Sequence, residues 1–99
     1  MQPLAGLLVL DFATLLPGPL AALMLAEAGA EVIKIERPGG EDARHFAPLV
    51  DGESAAFALL NRGKKSLCFD LKDKAERSRL MPLIARADIL IEQLSLIHI

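Results

Sequence analysis

Apolar residues fall into short dense runs divided by charged or turn-forming segments. Leu7–Phe12 is nearly continuous, the pattern of a strand covered on both faces. Pro17-Gly18-Pro19 breaks the run, and Pro19 suits a first helical turn because its missing N–H costs nothing there. Leu20–Ala28 is rich in Ala and Leu and sets Leu20, Leu23, Met24 and Glu27 on successive turns, which predicts a helix that Gly29 stops. Glu31–Glu36, with Val32, Ile33 and Ile35 β-branched, predicts a second buried strand. Strand, helix and strand together form a βαβ unit, whose strands run parallel.

Arg37–Gly52 has the Pro, Gly and charge content of a loop. Beyond it, Glu53–Asn61 predicts a short helix, Ser66–Asp70 a third strand and Asp88–Glu92 a fourth. The spacing of Leu80, Leu83 and Ile84 predicts a helix over Asp73–Ala87, with a kink or an early end at Pro82, which removes a hydrogen bond and crowds the preceding turn. Alternating strands and helices predict an α/β fold with a parallel sheet. The chain has no internal repeat and no low-complexity segment.

Ninety-nine residues suffice for one small domain at most. Hydrophobic residues make up 53%, while the aromatics, 4%, are all Phe, so the expected core is aliphatic. A formal charge of −2 is too small to steer the chain to nucleic acid or to a membrane surface. No stretch approaches the roughly 18–20 apolar residues that span a bilayer. The single cysteine, Cys68, excludes an internal disulfide framework and a cysteine metal cluster, and fits a reducing cytoplasm.

Open parallel sheets take ligands at the carboxyl ends of their strands. The first such turn, Ala13–Pro19, holds one glycine and no GxGxxG, so a nicotinamide or flavin site is unsupported. On spacing alone, Pro-Gly-Pro is accounted for by a tight connection. Arg37 directly follows the second strand and offers a planar fork suited to phosphate; an ion pair with Glu36 or Glu41 is the alternative. Arg62, Lys64 and Lys65 form a basic run of the kind that is usually a solvated face. Arg37 and Lys72 would sit past the ends of neighbouring strands, a reasonable cradle for a nucleotide phosphate. His45 and His98 have no partners at metal-ligand spacing, and no G-x-S-x-G elbow is present. Asp11, at the end of a buried strand, is expected to hydrogen-bond the following turn, and Cys68 to be a small core residue.

Several segments together resemble the family III CoA-transferases, of the CaiB/BaiF type, which include formyl-CoA transferase, carnitine CoA-transferase and α-methylacyl-CoA racemase. They are Val9-Leu-Asp-Phe12 with Gly18-Pro19, Gly29-Ala-Glu-Val-Ile-Lys-Ile-Glu-Arg37, Asn61-Arg-Gly-Lys-Lys-Ser-Leu-Cys-Phe-Asp-Leu-Lys72 and Ala87-Asp-Ile-Leu-Ile-Glu-Gln93. The resemblance implies that residues 1–94 are the N-terminal portion of a larger Rossmann-like domain with flanking helices, and that 95–99 are a divergent tail. After Gln93 the family continues with an aromatic residue and Arg-Pro-Gly, whereas this chain reads Leu94-Ser-Leu-Ile-His-Ile99. A truncated or frameshifted, non-catalytic product is therefore an open reading.

The resemblance also implies a site for coenzyme A or acyl-CoA as substrate, with no covalently bound cofactor. The backbone at Leu16 and Pro17 would border CoA, Arg37 would meet its nucleotide end, Phe69, Asp70, Leu71 and Lys72 would pack the adenine, and Gln93 and Leu94 would border the pantetheine side. Where Leu16 stands, some relatives carry a glutamine. The implied reaction moves CoA between carboxylic acids through an aspartyl intermediate. No residue of these 99 matches the aspartate, so the piece itself is expected to be inactive. The implied partners are acyl-CoA and carboxylate substrates and, for full-length members, a second chain in an interlocked homodimer. A racemase would instead need a His and carboxylate pair. Arg62–Ser66 is compatible with both, while Ile35–Arg44 looks closer to the transferases.

Overall fold

The computed structural model describes residues 2–13, 18–40, 42–45 and 47–92. Four parallel strands form its sheet: β1 (Leu8–Asp11), β2 (Glu31–Glu36), β5 (Lys65–Cys68) and β6 (Ile89–Ile91), in the order β5-β2-β1-β6. Three helices accompany them: α1 (Gly18–Glu27), α2 (Ala55–Asn61) and α3 (Lys74–Arg86). The long segment after β2 is more ordered than a plain loop. It contains a 3-10 turn at Asp42–His45 and a small antiparallel hairpin of β3 (Leu49–Val50) and β4 (Glu53–Ser54). Glu53 and Ser54 accordingly belong to a strand, and helix α2 starts later than its composition suggests. Ser54 caps it, its Oγ accepting from the Phe57 amide at 3.3 Å.

Alternation along the inner strands sorts side chains into two layers. Val9 and Val32 pack with Ala22 of α1 on one side, and Leu10, Ile33 and Ile35 pack with Leu80 of α3 on the other. Burying each large aliphatic side chain contributes about 1.5–3 kcal/mol. Strand β1 is covered on both faces as its unbroken apolar run requires, with Val9, Leu10 and Asp11 closed to solvent.

Gly29 does end α1. Its φ of 108° lies in the left-handed region, its N–H donates to the Ala26 carbonyl at 3.0 Å, and Ala30 N–H reaches the Leu25 carbonyl at 3.1 Å. That pairing is the Schellman arrangement, and a Cβ at Gly29 would meet Gln2 Cβ at 2.5 Å. Helix α1 buries Ala22 and Leu23 but leaves Leu20 and Met24 exposed, because it is apolar around its whole circumference and only one side meets the sheet. Helix α3 runs through Pro82 to Arg86 without ending early. Asp73 caps α3, accepting from the Ala75 amide at 2.8 Å. Among the described residues, no helix is long and apolar enough to cross a membrane.

Candidate functional site

Toward the carboxyl ends of β1 and β2 the buried side chains become polar. Going up the α1 side of the sheet, the inward positions change from Val9 to Asp11 on β1 and from Val32 to Lys34 and Glu36 on β2. The core thus passes from aliphatic to ionic toward one edge. Asp11 and Lys34 are at most 1% exposed and Glu36 6%.

Lys64 sits at the centre of this layer, with its side chain only 1% exposed. Its Nζ donates to Asp11 Oδ2 at 2.9 Å, Asn61 Oδ1 at 2.8 Å and the Pro19 carbonyl at 3.0 Å. The other Asp11 oxygen accepts from the Ala13 amide at 2.9 Å, and Lys34 Nζ donates to the Ala13 carbonyl at 2.9 Å while lying 3.9 Å from Asp11 Oδ2. The turn-bonding expected of Asp11 is present, but half of its carboxylate serves the lysine. The expectation of a solvated basic run fails at Lys64. Only its neighbours face water: Arg62 pairs with Glu27, and Lys65 with Glu31 at 3.1 Å. Adjacent lysines take opposite environments because α2 and its connection to β5 close over Lys64, while Lys65 starts the edge strand.

Beside this cluster, Glu36 accepts both Arg44 Nε at 2.7 Å and Arg44 Nη2 at 2.8 Å, and the Ser66 hydroxyl at 2.5 Å. The Arg44 guanidinium also lies over the Phe57 ring, 4.2 Å from its centroid. The two contacts clamp the segment after β2, and α2, onto the sheet. In dinucleotide-binding folds, an acidic group in that region takes the ribose hydroxyls. Here both Glu36 oxygens accept from Arg44, and one also from Ser66.

Of the expected CoA-contacting residues, Leu16, Pro17, Gln93 and Leu94 lie outside the described residues. The rest come together. Pairing of β2 with β5 runs to Glu36↔Cys68 and is extended by Phe69 N–H to the Glu36 carbonyl at 2.9 Å. Arg37 and the 69–72 loop therefore leave the sheet side by side. Arg37 is exposed, and its Nε donates to the Gly40 carbonyl at 3.3 Å. Phe69 is half-buried against the Leu10–Leu80 layer. Asp70 orders its loop: its Oδ1 accepts from the Lys72 amide at 3.0 Å, its carbonyl from the Asp73 amide at 3.0 Å, and its own N–H goes to Glu76 Oε2 at 2.6 Å. Leu71 and Lys72 are exposed at its tip, and the Leu71 carbonyl accepts from Arg77 Nη1 at 2.8 Å. Cys68, expected in the core, is exposed, because β5 is an edge strand among the described residues and all four of its residues face water. The described residues contain no group of three metal-ligating side chains.

A four-stranded parallel sheet with Arg37 and Lys72 in the loops past two neighbouring strand ends is an open α/β arrangement, a class whose members take ligands at the carboxyl edge. Comparison with known proteins narrows the class: the model of CoA-transferase family III matches residues 4–97, and the chain belongs to that family. It is 42% identical over 91 residues to the acetyl-CoA:oxalate CoA-transferase of Acetobacter aceti, covering 91% of this chain and 23% of that protein. It is 43% identical over 94 residues to the succinyl-CoA:glutarate CoA-transferase of Mus musculus, covering 93% and 22%. The crystal structure of a CAIB/BAIF family protein from Brucella suis superposes with a TM-score of 0.88 at 39% identity, covering 96% of this chain and 26% of that one. The chain thus spans about a quarter of the length of these relatives.

Proposed function

We propose that residues 1–94 are the CoA-binding N-terminal portion of an acyl-CoA:carboxylate CoA-transferase, with 95–99 a divergent tail. The observation that carries the site is the bond from Phe69 N–H to the Glu36 carbonyl, which sets Arg37 and the Phe69–Lys72 loop next to each other at the ligand edge. Arg37 supplies a forked cation and Lys72 a point charge, a combination suited to the phosphates of the nucleotide end of CoA. Phe69, Asp70, Leu71 and Lys72 pack the adenine. Leu16, Pro17, Gln93 and Leu94 complete the border along the pantetheine.

The relatives described above are named for exchange of CoA between carboxylic acids, which favours the transferase over a racemase. In this reading the 99 residues bind, and the chemistry belongs to an aspartate elsewhere in the protein. That carboxylate attacks the thioester carbonyl and expels CoA as thiolate; the thiolate then attacks the resulting anhydride and releases the first carboxylate. The acceptor carboxylate takes its place in the same two steps reversed. The whole enzyme works in the cytoplasm as an interlocked homodimer.

The test is a CoA-exchange assay beside a binding measurement. Residues 1–99, purified and verified as folded by circular dichroism, should bind CoA by calorimetry. They should move no CoA from acetyl-CoA or succinyl-CoA to free oxalate or glutarate. A folded chain that fails to bind CoA refutes the reading, and exchange by the 99 residues alone refutes the placement of the chemistry outside them.

A further inference from the structure

The ionic cluster of Asp11, Lys34, Asn61 and Lys64 is not explained as a source of stability. Taking an ammonium and a carboxylate out of water costs several kcal/mol, and apolar groups of similar volume in such places often do as well or better. What the cluster does instead is geometric. Among the described residues, Lys64 Nζ donates to three different elements: Asp11 of β1, Pro19 in the first turn of α1, and Asn61 at the end of α2. Asn61 is itself held, its Nδ2 donating to the Phe57 carbonyl at 2.9 Å. Ala13 is gripped at both ends, by Asp11 through its N–H and by Lys34 through its carbonyl. Lys64 lies one residue before β5, the strand that leads to Phe69–Lys72.

We propose that Lys64, together with Asp11 and Asn61, is a positioning device for the ligand edge. It fixes the end of β1 and the start of α1 relative to β5, and thereby sets the affinity of the edge for CoA without touching the ligand. This rests on the CoA-binding reading given above. A flexible lysine suits the role because its ammonium projects three donors from one point, whereas an arginine fork would direct its bonds in one plane.

The experiment compares Lys64→Met, Asn61→Ala and the neighbouring control Lys65→Ala in the whole gene product. Two readouts are taken: backbone hydrogen exchange and the Kd for CoA. Lys64→Met should lose protection at Ala13 and in the first turns of α1, with β2 and α3 retaining theirs, and should bind CoA about tenfold more weakly, the scale of one charge-assisted hydrogen bond. Asn61→Ala should show a smaller change of the same kind, and Lys65→Ala none. If Lys64→Met does not fold, Asn61→Ala carries the test, because it leaves the ion pair in place. Unchanged CoA affinity in folded variants overturns the proposal, as does protection lost evenly across the sheet. Should the parent protein bind no CoA, the functional reading falls, and with it the link to affinity, while the exchange pattern still decides whether Lys64 anchors β1 and α1.

Discussion

Lys64 Nζ lies 2.9 Å from Asp11 Oδ2, and neither side chain is more than 1% exposed. Fifty-three positions of chain separate the two residues, so the contact joins β1 to the start of the edge strand β5. Breaking it unbalances a buried cluster: Asp11→Asn takes the carboxylate from both Lys64 and Lys34, and Lys64→Met leaves Asp11 with Lys34 at 3.9 Å. Asp11→Asn or Lys64→Met should each lower stability by about 3–5 kcal/mol. The double variant should cost less than the sum, since neither leaves the other uncompensated. Urea unfolding of the four proteins measures this cycle, and strict additivity would show that the two groups are not coupled.

The neighbouring lysine offers a sharp contrast. Lys65 is exposed and pairs with an exposed Glu31, so Lys65→Ala should change stability by no more than about 1 kcal/mol, and by less in high salt. The same denaturation series checks it.

This pair also shows what could be seen beforehand. The four strands of the parallel sheet, the two longer helices and the Gly29 stop were legible because each is written in local periodicity or in a residue type that only one conformation favours; the β3–β4 hairpin was not. The family was legible in strings such as Gly29–Arg37. The polar layer was not. Lys34 and Glu36 stand in an otherwise β-branched strand, and nothing local says whether they meet water or partners. Lys64 and Lys65 are one residue apart in a run of like charge, and only the covering by α2 distinguishes them. The exposure of Cys68 is hidden for a related reason: a strand's pattern does not tell whether the strand lies at the sheet edge.

Glu36 bonds Arg44 at 2.7 and 2.8 Å and Ser66 at 2.5 Å. Removing that carboxylate by Glu36→Ala should cost about 1–3 kcal/mol, because two partners lose their acceptor. Arg44→Ala should cost at least as much, about 1–3 kcal/mol, since it takes the guanidinium from a carboxylate that is only 5% exposed. Limited proteolysis should then cut within residues 37–52 faster than in the parent.

On the opposite face of the sheet, Leu80 is 2% exposed and Met81 is 56% exposed on the same helix. Leu80→Ala should destabilise by about 2–5 kcal/mol through lost burial and a residual cavity. Met81→Ala should stay within about 0.5 kcal/mol. Thermal unfolding of the two variants tests whether α3 docks through Leu80.

Arg37 is exposed beside the 69–72 loop, and its Nε donates to the Gly40 carbonyl of its own turn at 3.3 Å. Arg37→Ala should leave the unfolding midpoint unchanged and weaken CoA binding by about 1–3 kcal/mol, the worth of a charge-assisted contact with phosphate. Calorimetry separates the two effects, and an unaltered Kd removes Arg37 from the site.

The most direct measurement is an amide chemical-shift map of the isotopically labelled protein titrated with CoA. CoA should move the signals of Arg37 and of Phe69 through Lys72, together at the carboxyl edge of the sheet, and leave Gly6, Glu31 and Arg86 at the amino edge in place. Shifts confined to the amino edge, or none at all from a folded protein, would contradict the assignment of this edge to CoA.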